Sequence, residues 1–191
     1  MKTNRSSKYD IAPMILHRWS PRAMTPAELS DEELFPLFEA ARWAPSCYNA
    51  QPWRFIYAKR NTHHWQPMFD LLVDFNKSWC VHAAVLGLTI AKTHFEHNGS
   101  FSKTHAYDAG AAWENLALEG VRRGLVVHGM GGFNATMAKK VLNIPEGFEV
   151  IAMFAIGKPG PVEALPQELQ EREAPSDRKS LKEIIFEGSF E

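Results

Sequence analysis

The chain has 191 residues and a formal net charge of −1, with 45% hydrophobic and 23% charged residues. That is enough for one domain with its own core, 1–191, and it offers no basic face of the kind nucleic acid requires. Two cysteines exclude a disulfide framework and point to a reducing, cytoplasmic setting, the polar first ten residues lack a signal-peptide core, and no apolar run approaches the ~20 residues that span a bilayer.

Residues 1–16 read as an arm or a short first helix. The next helix starts at Thr25, with Pro26 and a capping box to Glu28, or at Ser30, with a box to Glu33. Pro36 favours the later start, because it then lies nearer the first turn. Leu34, Leu37, Phe38 and Ala41 keep helical spacing, and Pro45 sets the end. Residues 53–58 alternate like a strand, and 63–74 read as a helix. Residues 81–91 form either a buried strand or the seam of a helix, which periodicity alone does not separate. The strongest helix covers 105–123, with a stripe of Ala109, Ala112, Trp113, Leu116 and Ala117. A short strand at 125–127 follows, then a helix over 135–142 capped by Asn134 and a buried strand over 148–156 ended by Gly157. Residues 159–177, rich in proline and charge, predict an extended surface arm, and 181–186 a last helical turn. Helices and strands alternate loosely, which suits an α+β fold better than a doubly wound one.

Three segments carry candidate chemistry. Arg18-Trp19-Ser20-Pro21-Arg22 brings two guanidinium groups and a hydroxyl together before a helix, either as a planar phosphate grip or as a solvated basic patch. Ala44 to Trp53 places Pro45, Ser46, Cys47, Tyr48, Asn49 and Gln51 in a rigid loop; its amides suit the urea-like edge of a flavin or a base, or merely fix the strand entry. His128-Gly129-Met130-Gly131-Gly132 lacks the third glycine of a dinucleotide fingerprint, since Asn134 stands there, but Gly131 and Gly132 let backbone approach a flat ligand. His94 and His97 lack a third metal ligand at a recognised spacing, so no metal site is expected. Cys47 has no histidine in a known catalytic order, and Cys80 beside an apolar run reads as an inert core thiol.

Taken together, in this order and spacing, these segments resemble the FMN-dependent nitroreductase family. Arg18-Trp19-Ser20-Pro21-Arg22 resembles its Arg-Arg-Ser-x-Arg opening, and Ala44 to Trp53 matches Ala-Pro-Ser-x-x-Asn-x-Gln-Pro-Trp at every defined position. Tyr107 to Ala112 with Glu114-Asn115-Leu116 looks like the family's central helix, Gly124 to Phe133 like its flavin N5 loop, and Gly157-Lys158-Pro159 with Arg178-Lys179 like its final strand and phosphate-binding tail. Trp19 departs from the second arginine, and His128-Gly129 stands where bulkier residues are common.

The resemblance implies an α+β fold, a mostly antiparallel sheet wrapped by helices, in an intertwined homodimer whose arm 160–191 embraces the partner. It implies that Arg18, Trp19, Ser20, Arg22 and Arg178 bind FMN with Asn76, Gly131 and Gly132, while Pro45, Ser46, Cys47 and Asn49 approach from the other subunit. Tyr48 and His128 would meet substrate. NADH or NADPH would reduce the flavin and a nitroaromatic or quinone-like acceptor would reoxidise it in ping-pong fashion, with no obligatory catalytic side chain. Relatives with other reactions, such as dehalogenation, azoline oxidation or enal reduction, and a non-catalytic flavin-binding module are the alternatives.

Overall fold

A computed structural model describes residues 5–190. The expectations for residues 1–4 and for the end of the arm at 191 lie outside the described residues. The sheet is antiparallel throughout. Strands β2 (Trp53–Lys59), β3 (Val85–Lys92), β4 (Val126–Met130) and β5 (Phe148–Pro159) lie in the order β2-β3-β5-β4, and the short β1 (Met24–Thr25) pairs with the C-terminal end of β5.

Helix α1 (Pro13–His17) is a single turn or so ahead of β1. Thr25 belongs to β1, so the helix start is the later one. Ser30 caps α2 (Asp31–Arg42), accepting from the Glu33 N–H while the Glu33 carboxylate accepts from the Ser30 N–H. Asp31, Glu32 and Glu33 in the first turn complement the helix dipole. The single helix expected over 63–74 is two: α3 (Trp65–Phe69) and α4 (Asp74–Cys80). Between them Leu72 makes a β-bridge to Phe133, so the chain leaves helical geometry to pair with a distant segment. Residues 85–92 resolve as strand, buried at every position but the last. Both faces are covered there, which erases the alternation that would have marked it.

Helix α5 (His105–Arg122) packs its Ala109, Ala112, Leu116 and Ala117 against Leu34, Leu37 and Ala41 of α2 and one sheet face. The opposite face carries Leu86, Leu88, Met130 and Met153 against Trp79, Met68 and Ala138. Strand β4 runs on through His128, which the sequence placed in a loop. Asn134 caps α6 (Ala135–Val141) by accepting from the Met137 N–H at 2.9 Å, as expected. Strand β5 continues past Gly157 to Pro159 because β1 pairs with its end. The arm at 159–177 is not simply extended: it forms α7 (Gln167–Gln170) and buries Leu165 and Leu169. Among the described residues, no helix is long and apolar enough to cross a membrane.

Candidate functional site

The Arg18–Arg22 segment follows α1 and lies against the edge strand β4 and the start of the C-terminal arm. Together they enclose a cavity of about 360 Å³ whose wall includes Arg5, Arg18, Arg22, Arg172 and Arg178, with Trp19, Ser20 and His128. The sequence singled out Arg18, Trp19, Ser20, Arg22, Arg178 and His128, and the fold brings all six to this cavity. It missed Arg5 and Arg172, whose only sequence signal is membership of a polar or charged stretch far from residue 20.

Acidic partners fix the two central arginines. Arg18 Nε lies 3.4 Å from Glu114 on α5. Arg22 Nη1 lies 3.6 Å from Glu173, whose side chain is 2% exposed. The Glu173 carboxylate also accepts from the N–H groups of Arg22 and Ala23, at 2.5 and 2.8 Å, so the arm clamps the arginine loop. Burial raises the Glu114 carboxyl above the ordinary range, against the pull of Arg18 and Arg178. Arg22 Nε is buried with no hydrogen-bond partner among the described residues. A buried donor left unmade costs about 1–3 kcal/mol, and an anionic oxygen in the cavity would satisfy it.

His128 stands in this wall, its ring 4.5 Å from that of Trp79 and its Nδ1 2.8 Å from the Pro21 carbonyl oxygen. Burial, reinforced by Arg22 and Arg18, holds its pKa down at about 4 against the pull of that carbonyl, so it is neutral near pH 7. Within one chain His128 and Tyr48 line different cavities. Gly129 packs against Trp113: a Cβ there would lie 2.8 Å from Cζ2 of that ring.

Just past the end of strand β4 comes Gly131, where a Cβ would meet nothing within 4 Å. Gly132 is the opposite: a Cβ would sit 2.7 Å from Nδ2 of Asn76, and that amide donates to the Gly132 carbonyl at 2.9 Å. The Val73 N–H donates to the same carbonyl at 3.2 Å. Asn76 therefore locks the glycine loop to the start of α4, a role the sequence did not show.

Pro45, Ser46, Cys47, Tyr48 and Asn49 lie on the connection from α2 to β2, and none of them lines the arginine cavity. Cys47–Asn49 form a 3-10 turn in which Tyr48 and Asn49 have φ of 52°, and Gln51 follows with φ of 47°. Left-handed backbone at a non-glycine residue costs roughly 1–2 kcal/mol, so this turn is held by its surroundings: the Cys47 N–H donates to buried Asp108 on α5 at 3.2 Å, and the Gln51 N–H to Ser46 Oγ at 3.0 Å. Cys80 is buried against Met130, its thiol pushed up by burial, and stays protonated. Among the described residues no cluster of three or more His, Cys, Asp or Glu side chains is placed to hold a metal.

A family model described as the nitroreductase family matches residues 15–79. A solved oxidoreductase containing FMN is 42% identical, with a TM-score of 0.96 over 100% of this chain and 98% of that one. A nitroreductase-type protein of Desulfovibrio desulfuricans, solved in complex with FMN, is 23% identical with a TM-score of 0.73, over 94% of this chain and 96% of that one. At that identity it shares the fold. A protein of Mycolicibacterium smegmatis, named as an uncharacterized 15.4 kDa protein in the ask 5' region, is 34% identical over 86 residues. Those residues are 44% of this chain, which spans 58% of that curated relative.

Proposed function

The chain belongs to the nitroreductase family, and from that premise we propose that it is an oxidoreductase that uses FMN to pass electrons from NADH or NADPH to a small organic acceptor, a nitroaromatic or a quinone. The observation that carries this reading is the arginine cavity with the orphaned Arg22 Nε in its wall. Its donor set fits a phosphate monoester: planar forks from Arg18, Arg22 and Arg178, a hydroxyl from Ser20, and further charge from Arg5 and Arg172.

FMN held there would supply the redox chemistry between the nicotinamide and the acceptor. The chain's own residues bind and orient. Arg18 and Arg22, with Arg178, would hold the phosphate end in the arginine cavity. Strand β4 leads from His128 in the cavity wall to Met130, and Gly131 follows, about 10 Å of extended chain from His128, a span suited to a phosphate tail at one end and a flat ring at the other. The bare side of Gly131 admits a ring against the backbone, and Asn76 keeps the loop in register by holding the Gly132 carbonyl.

The Pro45–Asn49 turn completes the site in this reading from a second copy, giving a homodimer of single-domain subunits. Exposed aromatic surface supports this: Trp43 is 71% exposed, Tyr48 80% and Tyr107 80%. Beyond Glu173 the arm is almost wholly exposed yet carries Ile184, Ile185, Phe186 and Phe190, the composition of a segment covered by a partner.

The test is the visible spectrum of the purified protein. A flavin band bleached by NADH or NADPH and restored by a nitroaromatic or quinone is the expected result. Protein that remains colourless after incubation with excess FMN overturns the reading.

A further inference from the structure

The strained turn at Tyr48 borders a second cavity, of about 270 Å³, separate from the arginine cavity. Its far wall is the 93–102 segment between β3 and α5. That segment is tightly closed: His94 bridges Phe101, the Phe95 N–H donates to the Ser100 carbonyl at 2.9 Å, and the Ser102 N–H donates to the Thr93 carbonyl at 2.8 Å. The closure brings Phe95 and His97 against Tyr48. Ring centroids lie 5.7 Å apart for Tyr48 and Phe95, 5.6 Å for Tyr48 and His97, and 5.4 Å for Phe95 and His97.

Two cations, Arg54 and Lys92, share the cavity with one carboxylate, Glu96. Lys92 pairs with Glu96 at 2.7 Å. Arg54 is pinned through Nη1, which donates to the carbonyls of Gln51 and Trp53 at 2.9 and 2.7 Å. The two cations and single carboxylate thus lie beside the rings of Tyr48, Phe95 and His97. Tyr48 is held against Phe95 and His97 by an unfavourable backbone conformation, when a relaxed turn would cost less. Rings at an edge and a pre-oriented guanidinium are complementary to a flat ring bearing a carboxylate.

We propose that this cavity binds planar aromatic monoanions of the benzoate type, the ring against Tyr48, Phe95 and His97 and the carboxylate on Arg54 and Lys92. That the bound anion is the enzyme's electron acceptor rests on the flavin reading above; that it binds does not.

The test is calorimetric titration of the holoprotein with benzoate and with its neutral isostere benzamide. Benzoate binds about tenfold more tightly or better. Arg54→Gln and Lys92→Gln each narrow that gap, Tyr48→Ala weakens both ligands, and Tyr48→Phe weakens neither. Equal affinity for the two ligands, or benzoate binding unchanged in both charge variants with native circular dichroism, overturns the proposal. In turnover, 4-nitrobenzoate shows a lower KM than 4-nitrobenzamide, and Arg54→Gln removes the difference. Selective benzoate binding by a protein that reduces neither compound upholds the site and defeats the reductase reading. Reduction of both with equal KM defeats the acceptor site and upholds the reductase reading.

Discussion

Nδ1 of His128 lies 2.8 Å from the carbonyl oxygen of Pro21. This contact joins β4 to the arginine loop, and the ring is buried against Trp79. The fold favours neutral imidazole, with a pKa of about 4 against an ordinary 6.5. The folded state therefore binds fewer protons than the unfolded chain between those values, and stability falls as pH drops from 6.5 to 4. The loss amounts to roughly 3 kcal/mol once both values are passed. Urea midpoints across pH 4–7 should show this slope, and His128→Gln should flatten it.

His105 predicts a slope of the other sign. It is buried at the start of α5, with Nε2 2.5 Å from Glu149 on β5 and Nδ1 2.7 Å from the Ser102 carbonyl. Burial opposes its charge, but the bonds to Glu149 and Ser102 outweigh burial and raise its pKa above 6.5. Its stabilising contribution is complete below pH 6.5 and fades as pH rises through the raised value. Thermal midpoints between pH 6.5 and 9 should decline, and Glu149→Gln should reduce the decline.

Arg22 and Glu173 separate stability from flavin binding. Replacing Arg22 with Ala leaves the Glu173 carboxylate, 2% exposed, without its cation, and breaking a buried pair this way costs about 3–5 kcal/mol. Arg22→Ala should therefore unfold early in urea, whatever its flavin content. Arg178 and Arg172 are exposed at the cavity rim. Arg172→Gln with Arg178→Gln should keep the wild-type urea midpoint within about 0.5 kcal/mol. It should weaken FMN binding about tenfold or more, read from flavin fluorescence during titration.

Phe154 fills the space that a side chain at Gly87 would need. The two are paired across β3 and β5, and a Cβ on Gly87 would lie 2.3 Å from Cζ of that ring. Gly87→Ala should destabilise by about 1–3 kcal/mol through overpacking. Phe154→Leu in the same chain should recover part of the loss, because a smaller side chain vacates the clash. Equilibrium denaturation of the single and double variants measures the coupling.

Local signals were readable wherever one turn of chain contains its own explanation. Ser30 with Glu33, and Asn134 ahead of Met137, are caps whose partners sit three residues away, and the stripe on α5 repeats with the helix period. The strand at 85–92 was ambiguous because burial on both faces leaves no alternation to read. The break between α3 and α4 was invisible because its cause, Phe133, is about sixty residues distant.

The site divides in the same way. By itself the sequence marked the arginine pair around Ser20, the Ala44–Trp53 loop and the Gly131-Gly132 pair, since each is a contiguous segment whose residue types restrict its chemistry. Tertiary structure alone decided that Glu173 clamps Arg22, that Arg172 and Arg5 join the same cavity, that His128 is buried and neutral, and that Phe95 and His97 meet Tyr48. The physical reason is that charge, burial and ring contact are properties of a residue's neighbours in space. Those neighbours come from strands and arms far apart along the chain.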